Sequence, residues 1–129
     1  MLESPPIEAS RAVQVVVVED DDDALESLMR IVELDGYRVA GASSAGEALQ
    51  IMEHCVPQCV VLDLGLPDLS GAELARQLRD RCGKDVVLIA VTGTTDEELL
   101  LGAEEAGVDY ILPKPLDIER FRRIVPRMP

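Results

Sequence analysis

Aromatic side chains are nearly absent from this sequence, with one Phe, two Tyr and no Trp in 129 residues. Any core must be aliphatic, drawn from the 47 % of residues that are hydrophobic. Positive charge is also in short supply. Twelve Lys and Arg against 25 Asp and Glu give a formal charge of −13. A surface that acidic repels phosphate backbones and anionic lipid, which argues against direct nucleic-acid or membrane partners and for cations or a basic protein face. No apolar run is long enough to cross a bilayer, and no early apolar segment carries basic flanks, so a soluble, cytoplasmic protein is expected. Cysteine is sparse and odd in number, three in all and without C-x-x-C spacing. His54, Cys55 and Cys59 lie close together but lack a fourth ligand, so a zinc site is not expected. Cys59 reads as a strand residue, and Cys55 and Cys82 as lying in or near helices, all reduced.

What the chain does have is a strict alternation of short β-branched runs and amphipathic stretches. Residues 1–12, with Pro5-Pro6 and mixed polarity, read as a loose leader, 13–125 as one domain and 126–129 as a tail. Val13 to Val18 is an apolar run with no polar face, the pattern of a parallel strand covered on both sides. Asp23 with Glu26 looks like a capping box, and Leu25, Leu28, Met29 and Val32 then share a helical face. Tyr37 to Ala40 is a short second strand. Ser44 and Glu47 open a second helix bearing Ala48, Leu49 and Met52. Gln58 to Leu62 is a third strand, and Ser70 and Glu73 cap a helix carrying Leu74, Ala75 and Leu78. Val86 to Val91 is a fourth strand, followed by a helix capped by Thr95 and Glu98 that includes Leu99-Leu100-Leu101. Those three leucines exceed one amphipathic stripe, so one of them should face outward. Val108 to Leu112 is a fifth strand, and a last helix near Leu116 to Val125 presents Leu116, Phe121, Ile124 and Val125. Five βα units of this kind predict an α/β fold: a doubly wound, flavodoxin-like parallel sheet of five strands in the order 2-1-3-4-5, with five helices.

In such sheets ligands bind in the crevice beyond the carboxyl ends of the strands. The first strand ends at Glu19-Asp20, the third at Asp63, the fourth at Thr92 and the fifth at Lys114; the second ends at Gly41 with nothing reactive. An acidic pair, a further carboxylate, a hydroxyl and an amine thus converge on one rim. Asp63 sits inside V-L-D-L-G-L-P-D-L-S-G, Thr92 inside V-T-G and Lys114 inside P-K-P. Asp68, and the run Asp21-Asp22-Asp23, read instead as turn-forming, capping or solvated charge.

Taken together these motifs resemble the receiver domain of the response regulators of two-component phosphorelays, over nearly the whole span from Val13 to Val125. The resemblance implies that Asp63 is the phosphoacceptor. It implies that Glu19, Asp20, Asp63 and the backbone carbonyl of Gly65 hold Mg²⁺, with Mn²⁺ as a substitute, and that Thr92 and Lys114 contact the phosphoryl oxygens. It also implies a histidine kinase or histidine phosphotransfer protein as donor and a downstream protein target. Further implications are a face of helix 4, strand 5 and helix 5 that switches, a cis Lys114-Pro115 bond, and room for a weak homodimer. Elementary electrostatics agrees with these roles. Three crowded carboxylates raise each other's pKa unless neutralised, and with Lys114 and a divalent ion the sum is −3 + 1 + 2 = 0. The pattern departs from the family at Ile111, where relatives carry an aromatic switch residue; Tyr110, one residue earlier, should point to the other side of the strand. The rival reading is a Mg²⁺-dependent phosphohydrolase of the haloacid-dehalogenase type. That chemistry needs a second acid two residues after the nucleophile, where this chain has Gly65. Flavin binding is disfavoured because the loop after the first strand is acidic where a phosphate cradle belongs.

Overall fold

Buried aliphatic strands set the architecture. The computed structural model describes residues 13–126. Its strands β1 (Val15–Val18), β2 (Val39–Ala42), β3 (Cys59–Leu62), β4 (Val87–Thr92) and β5 (Tyr110–Pro113) alternate with helices α1 (Asp22–Leu34), α2 (Ala45–Ile51), α3 (Gly71–Cys82), α4 (Glu97–Glu105) and α5 (Ile118–Ile124). All strand pairs are parallel, in the order β2-β1-β3-β4-β5. This is the expected flavodoxin-like sheet.

Side-chain alternation divides the core in two. Val16, Val18, Val60, Leu62, Leu88 and Ala90 face α2, α3 and α4, meeting Ala48, Leu74, Leu78 and Ala103. Val15, Val17, Cys59, Val61, Ile89 and Val91 face α1 and α5, meeting Val32 and Phe121. Phe121, the chain's single Phe, is 1 % exposed and seats α5 on the sheet. Leu25, Leu28 and Met29 of α1 pack there as their spacing predicts. Ile111 joins the α2–α4 side, while Tyr110 is exposed. The three cysteines are free thiols, and burial pushes that of Cys59 up to about 12.

Several boundaries differ from the sequence pattern. β2 begins two residues later than expected because Tyr37 N–H still donates to Val32 O at the end of α1 (3.3 Å). β1, β3 and β4 each begin later as well, and β5 is displaced to Tyr110–Pro113. The capping residue of α1 is Asp21, which accepts from the N–H groups of Asp23 and Ala24, so Asp23 lies inside the helix rather than opening it. Likewise α4 is capped by Asp96, accepting from Glu98 and Leu99, and not by Thr95. In each case a neighbouring carboxylate takes the cap, two residues before the expected one in α1 and one residue after it in α4. Ser44 and Ser70 do cap α2 and α3, each accepting the N–H three residues on. The last helix is shorter than its apolar pattern, with Asp117 as its cap. Two leucines rather than one face outward on α4: Leu99 and Leu101 are 53 % and 54 % exposed. The expected leader, residues 1–12, lies outside the described residues, as do 127–129 of the expected tail.

The amino-terminal edge of the sheet is braced by Arg79 near the end of α3. Its guanidinium donates to Gly83 O (2.8 Å), to Val86 O (2.6 Å), twice to Gly107 O (3.1 and 2.9 Å) and to Asp109 Oδ2. Asp109 Oδ2 also accepts Leu88 N–H at 2.8 Å. Gly107 has φ +104° and no room for a Cβ, which would stand 2.8 Å from Arg79 Cγ.

Candidate functional site

Glu19, Asp63 and Lys114 are the first residues after β1, β3 and β5, and Thr92 is the last residue of β4. Glu19 follows β1, and its N–H donates to Ala42 O at 3.0 Å. Asp63 follows β3, and its N–H donates to Val18 O at 3.1 Å, which places it beside Glu19. Lys114 follows β5, and its N–H donates to Thr92 O at 2.9 Å. The Lys114-Pro115 bond is cis, as the resemblance implies. The ladder therefore continues past the strand ends and delivers four side chains to one rim.

The Lys114 ammonium bridges two carboxylates, donating to Glu19 Oε1 at 2.9 Å and to Asp63 Oδ2 at 3.1 Å. Asp63 Oδ1 accepts the N–H of Gly65 at 3.0 Å, and Glu19 Oε2 accepts that of Asp21 at 3.2 Å. One carboxylate oxygen from each of Glu19, Asp20 and Asp63 lies within 4.8 Å of the others. Glu19 is buried at 6 % exposure, Asp20 is exposed and Asp63 is half-buried. Burial raises the Glu19 carboxyl above its ordinary value of 4.5, with Lys114 opposing and Asp63 adding to the rise. Dehydration thus outweighs the mutual repulsion that the sequence alone suggests. Burial works against the Lys114 ammonium too, but its hydrogen bonds to Glu19 and Asp63 win and hold it above 10.5.

Thr92 is buried at 4 % exposure, and its Oγ1 accepts Thr94 N–H at 3.1 Å, leaving the hydroxyl proton to donate elsewhere. Asp63, Gly65, Thr92 and Lys114 line one cleft of about 290 Å³ together with Gly93, Thr94 and Leu99. On the other flank, Glu19, Asp63 and Lys114 form the polar rim of an apolar cleft of about 230 Å³ against Leu28, Ile31 and Leu116. The sequence-predicted residues are thus brought together, save Ile111, which packs into the core beneath.

The donor set suits a hard cation. Two oxygens on opposite sides of an ion bound at ~2.1 Å stand ~4.2 Å apart, so a spread within 4.8 Å needs only small side-chain adjustments. Two acids in contact with Lys114, and a third that is exposed, leave the rim net negative and ready for such an ion.

Asp68, expected from the sequence as a turn former, does something else. Its Oδ1 and Oδ2 accept the N–H groups of Ala45 (3.1 Å) and Gly46 (3.0 Å) at the start of α2. Those hydrogen bonds, that to Gly46 first, pull its carboxyl below the ordinary 3.8. No feature of residues 45 and 46 announces this, because backbone amides carry no side-chain signature.

A doubly wound sheet whose carboxyl edge gathers three acids and a lysine defines a class of small α/β signalling modules. Comparison with known proteins agrees. A family model described as the response regulator receiver domain matches residues 15–126. The response regulator MprA of Mycobacterium sp. (strain KMS) is 37 % identical over 109 residues, which cover 84 % of this chain and 47 % of that protein. The chain spans about half the length of the curated relatives it matches. Among solved structures, a CheY-like response regulator receiver domain protein from Methanospirillum hungatei JF-1 superposes with a TM-score of 0.81 at 30 % identity, covering 86 % of this chain and 88 % of that one. A response regulator protein from Burkholderia pseudomallei, solved with a phosphorylated aspartic acid, a calcium ion and citrate, superposes at 0.80 with 26 % identity, covering 88 % of this chain and 66 % of that one. The chain belongs to the response regulator receiver domain family.

Proposed function

We propose that Asp63 accepts a phosphoryl group from a phosphohistidine on a histidine kinase or histidine phosphotransfer protein, or from a small acyl phosphate. One observation carries the reading: Lys114 Nζ lies within 3.1 Å of both Glu19 Oε1 and Asp63 Oδ2. A carboxylate oxygen of Asp63 attacks phosphorus in line, the bond from phosphorus to the donor nitrogen breaks, and its electron pair leaves on the imidazole. Glu19, Asp20, Asp63 and the Gly65 carbonyl would hold Mg²⁺, or Mn²⁺ in its place, which when bound covers charge on the transferring oxygens. Lys114 turns from the carboxylates to an equatorial phosphoryl oxygen. Thr92 donates its free hydroxyl proton to another while Oγ1 keeps the Thr94 N–H. Water later hydrolyses the acyl phosphate, so the domain is a signalling phosphoacceptor with at most self-phosphorylation and self-dephosphorylation.

The output is read from α4, β5 and α5, where Leu99, Leu101, Tyr110 and Ile118 are exposed apolar side chains without cover in this structure. A downstream protein, or weakly a second copy, is the fitting partner. The net charge of −13 speaks against direct nucleic-acid and membrane contact. Among the described residues no helix is long and apolar enough to cross a membrane, which accords with a cytoplasmic domain. Ile111 in the core cannot act as an aromatic reporter, so the switch is carried by Thr92 and the loop after it. The test is intact mass after acetyl phosphate treatment, with and without Mg²⁺, on wild type and Asp63→Asn. Wild type gains one phosphoryl group only with the metal; an equal gain in the variant would overturn the assignment.

A further inference from the structure

The loop between β3 and α3 carries both Asp63 and Gly65, and each end of it is tightly built. At the front, Asp63 N–H is bonded to Val18 O, and Asp63 Oδ1 takes Gly65 N–H. At the back, Gly71 N–H returns to Leu64 O at 3.0 Å, and the contact is so close that a Cβ on Gly71 would stand 2.5 Å from Leu64 Cα and 2.6 Å from Asp63 O. The apex between them has to be held by something else. Leu66 is buried at 8 % exposure, and Asp68 reaches out of the loop to the first turn of α2.

The amides it takes are ones that no helical carbonyl can satisfy. Ser44 Oγ takes Glu47 N–H, and Glu47 Oε1 takes Ser43 N–H, which leaves Ala45 and Gly46 for Asp68. Each carboxylate oxygen takes one amide, a charge-assisted, two-point grip with defined direction. The start of α2 is in turn tied to the acidic pair, since β2 ends at Ala42, whose carbonyl accepts Glu19 N–H. A closed circuit therefore runs from Glu19 through Ala42 to the start of α2, across Asp68 into the loop, and back to Asp63 beside Glu19.

We infer that Asp68 is a positioning residue: by clamping the Asp63 loop to the first turn of α2, it fixes the distance between the Gly65 carbonyl and the Glu19–Asp20 pair, and so sets the affinity of the cation site. This rests on the proposed metal-binding role of those residues. Asp68 touches neither the ion nor the phosphoryl group and acts through Gly65. Removing the clamp lets the loop apex drift, so the carbonyl is no longer preset and its ordering must be met out of binding free energy.

The test is Mg²⁺ titration of the unphosphorylated protein by calorimetry on wild type, Asp68→Ala and Asp68→Asn, with thermal melts of all three. Asp68→Ala should bind Mg²⁺ about tenfold more weakly, the lower end of the range for residues that support metal ligands. Asp68→Asn should fall between, because one oxygen still accepts an amide while the new NH₂ opposes the other. With acetyl phosphate, the Mg²⁺ concentration for half-maximal phosphorylation should rise in Asp68→Ala while the rate at saturating Mg²⁺ returns to that of wild type. A lowered melting temperature with unchanged Mg²⁺ affinity would mean a merely structural cap and overturn the inference. If Asp68→Ala does not fold, Asp68→Asn decides by the same criterion. Wild type that binds no Mg²⁺ would instead refute the proposed function, so the two failures are told apart.

Discussion

Lys114 and Glu19 stand 95 positions apart in sequence and are joined by a 2.9 Å hydrogen bond at the carboxyl edge of the sheet. The same ammonium holds Asp63, so one cation already sits where a divalent ion would concentrate charge.

Lys114→Ala should therefore have opposite effects on binding and on transfer. Losing the ammonium leaves Glu19, Asp20 and Asp63 unneutralised, and Mg²⁺ affinity should increase about 30-fold, the worth of one unit charge about 4 Å from a divalent ion at the dielectric of water. Phosphorylation by acetyl phosphate should drop about 100-fold, because a donor to the transferring oxygens is gone. Calorimetry and a mass-resolved time course measure the two. Weaker Mg²⁺ binding in the variant would show that the lysine organises the carboxylates instead of competing with the ion.

Two glycine substitutions should move stability in opposite directions. Gly71→Ala forces a Cβ against the Leu64 and Asp63 backbone and should cost about 2–3 kcal/mol. Gly102→Ala lies within α4, where a Cβ meets nothing within 4 Å; it should add about 0.5–1 kcal/mol by helix propensity. Urea unfolding of both proteins decides, and a neutral Gly71→Ala would refute the tight return to Leu64.

Arg79→Lys should cost about 2 kcal/mol despite keeping the charge. A lysine cannot present the planar fork that reaches Gly83, Val86, Gly107 and Asp109 together, and carbonyls are left unmet. A urea midpoint within experimental scatter of wild type would contradict this.

The Asp68 clamp predicts a pH signature in stability. Its folded pKa lies below the unfolded value of 3.8 because of the Gly46 and Ala45 amides. The stability it contributes is thus complete above that value and is lost as pH falls through the lowered folded one. The difference in unfolding midpoint between wild type and Asp68→Asn should be constant from pH 5 to 7 and shrink only below about pH 4. A difference that already fades near pH 6 would assign it to another group.

How far all this can be seen in the residues themselves depends on the kind of signal. Strand tips are legible because β1, β3 and β4, covered on both faces, leave apolar runs that end at Glu19, Asp63 and Thr92, whereas Lys114 after the exposed edge strand β5 is marked by its flanking prolines. The order 2-1-3-4-5 then gathers them. The helix starts at Asp21 and Asp96 are less legible, since acidic and hydroxyl residues crowd those loops and several neighbours could cap equally well. The role of Asp68 is invisible, because its partners are backbone amides 22 and 23 residues away. The Arg79 brace is hidden for the same reason, as most of its acceptors are carbonyls.

The two ends of α4 are secured very differently. Just past its carboxyl end, Gly107 is gripped by Arg79 through two hydrogen bonds. Its amino end hangs on two threonine hydroxyls, Thr92 Oγ1 to Thr94 N–H and Thr94 Oγ1 to Asp96 N–H, with open space around Gly93. With the helix bolted at its heel and strung at its toe, the proposed pull on Thr92 would carry Leu99 further than Glu105 and so tilt the outer leucines.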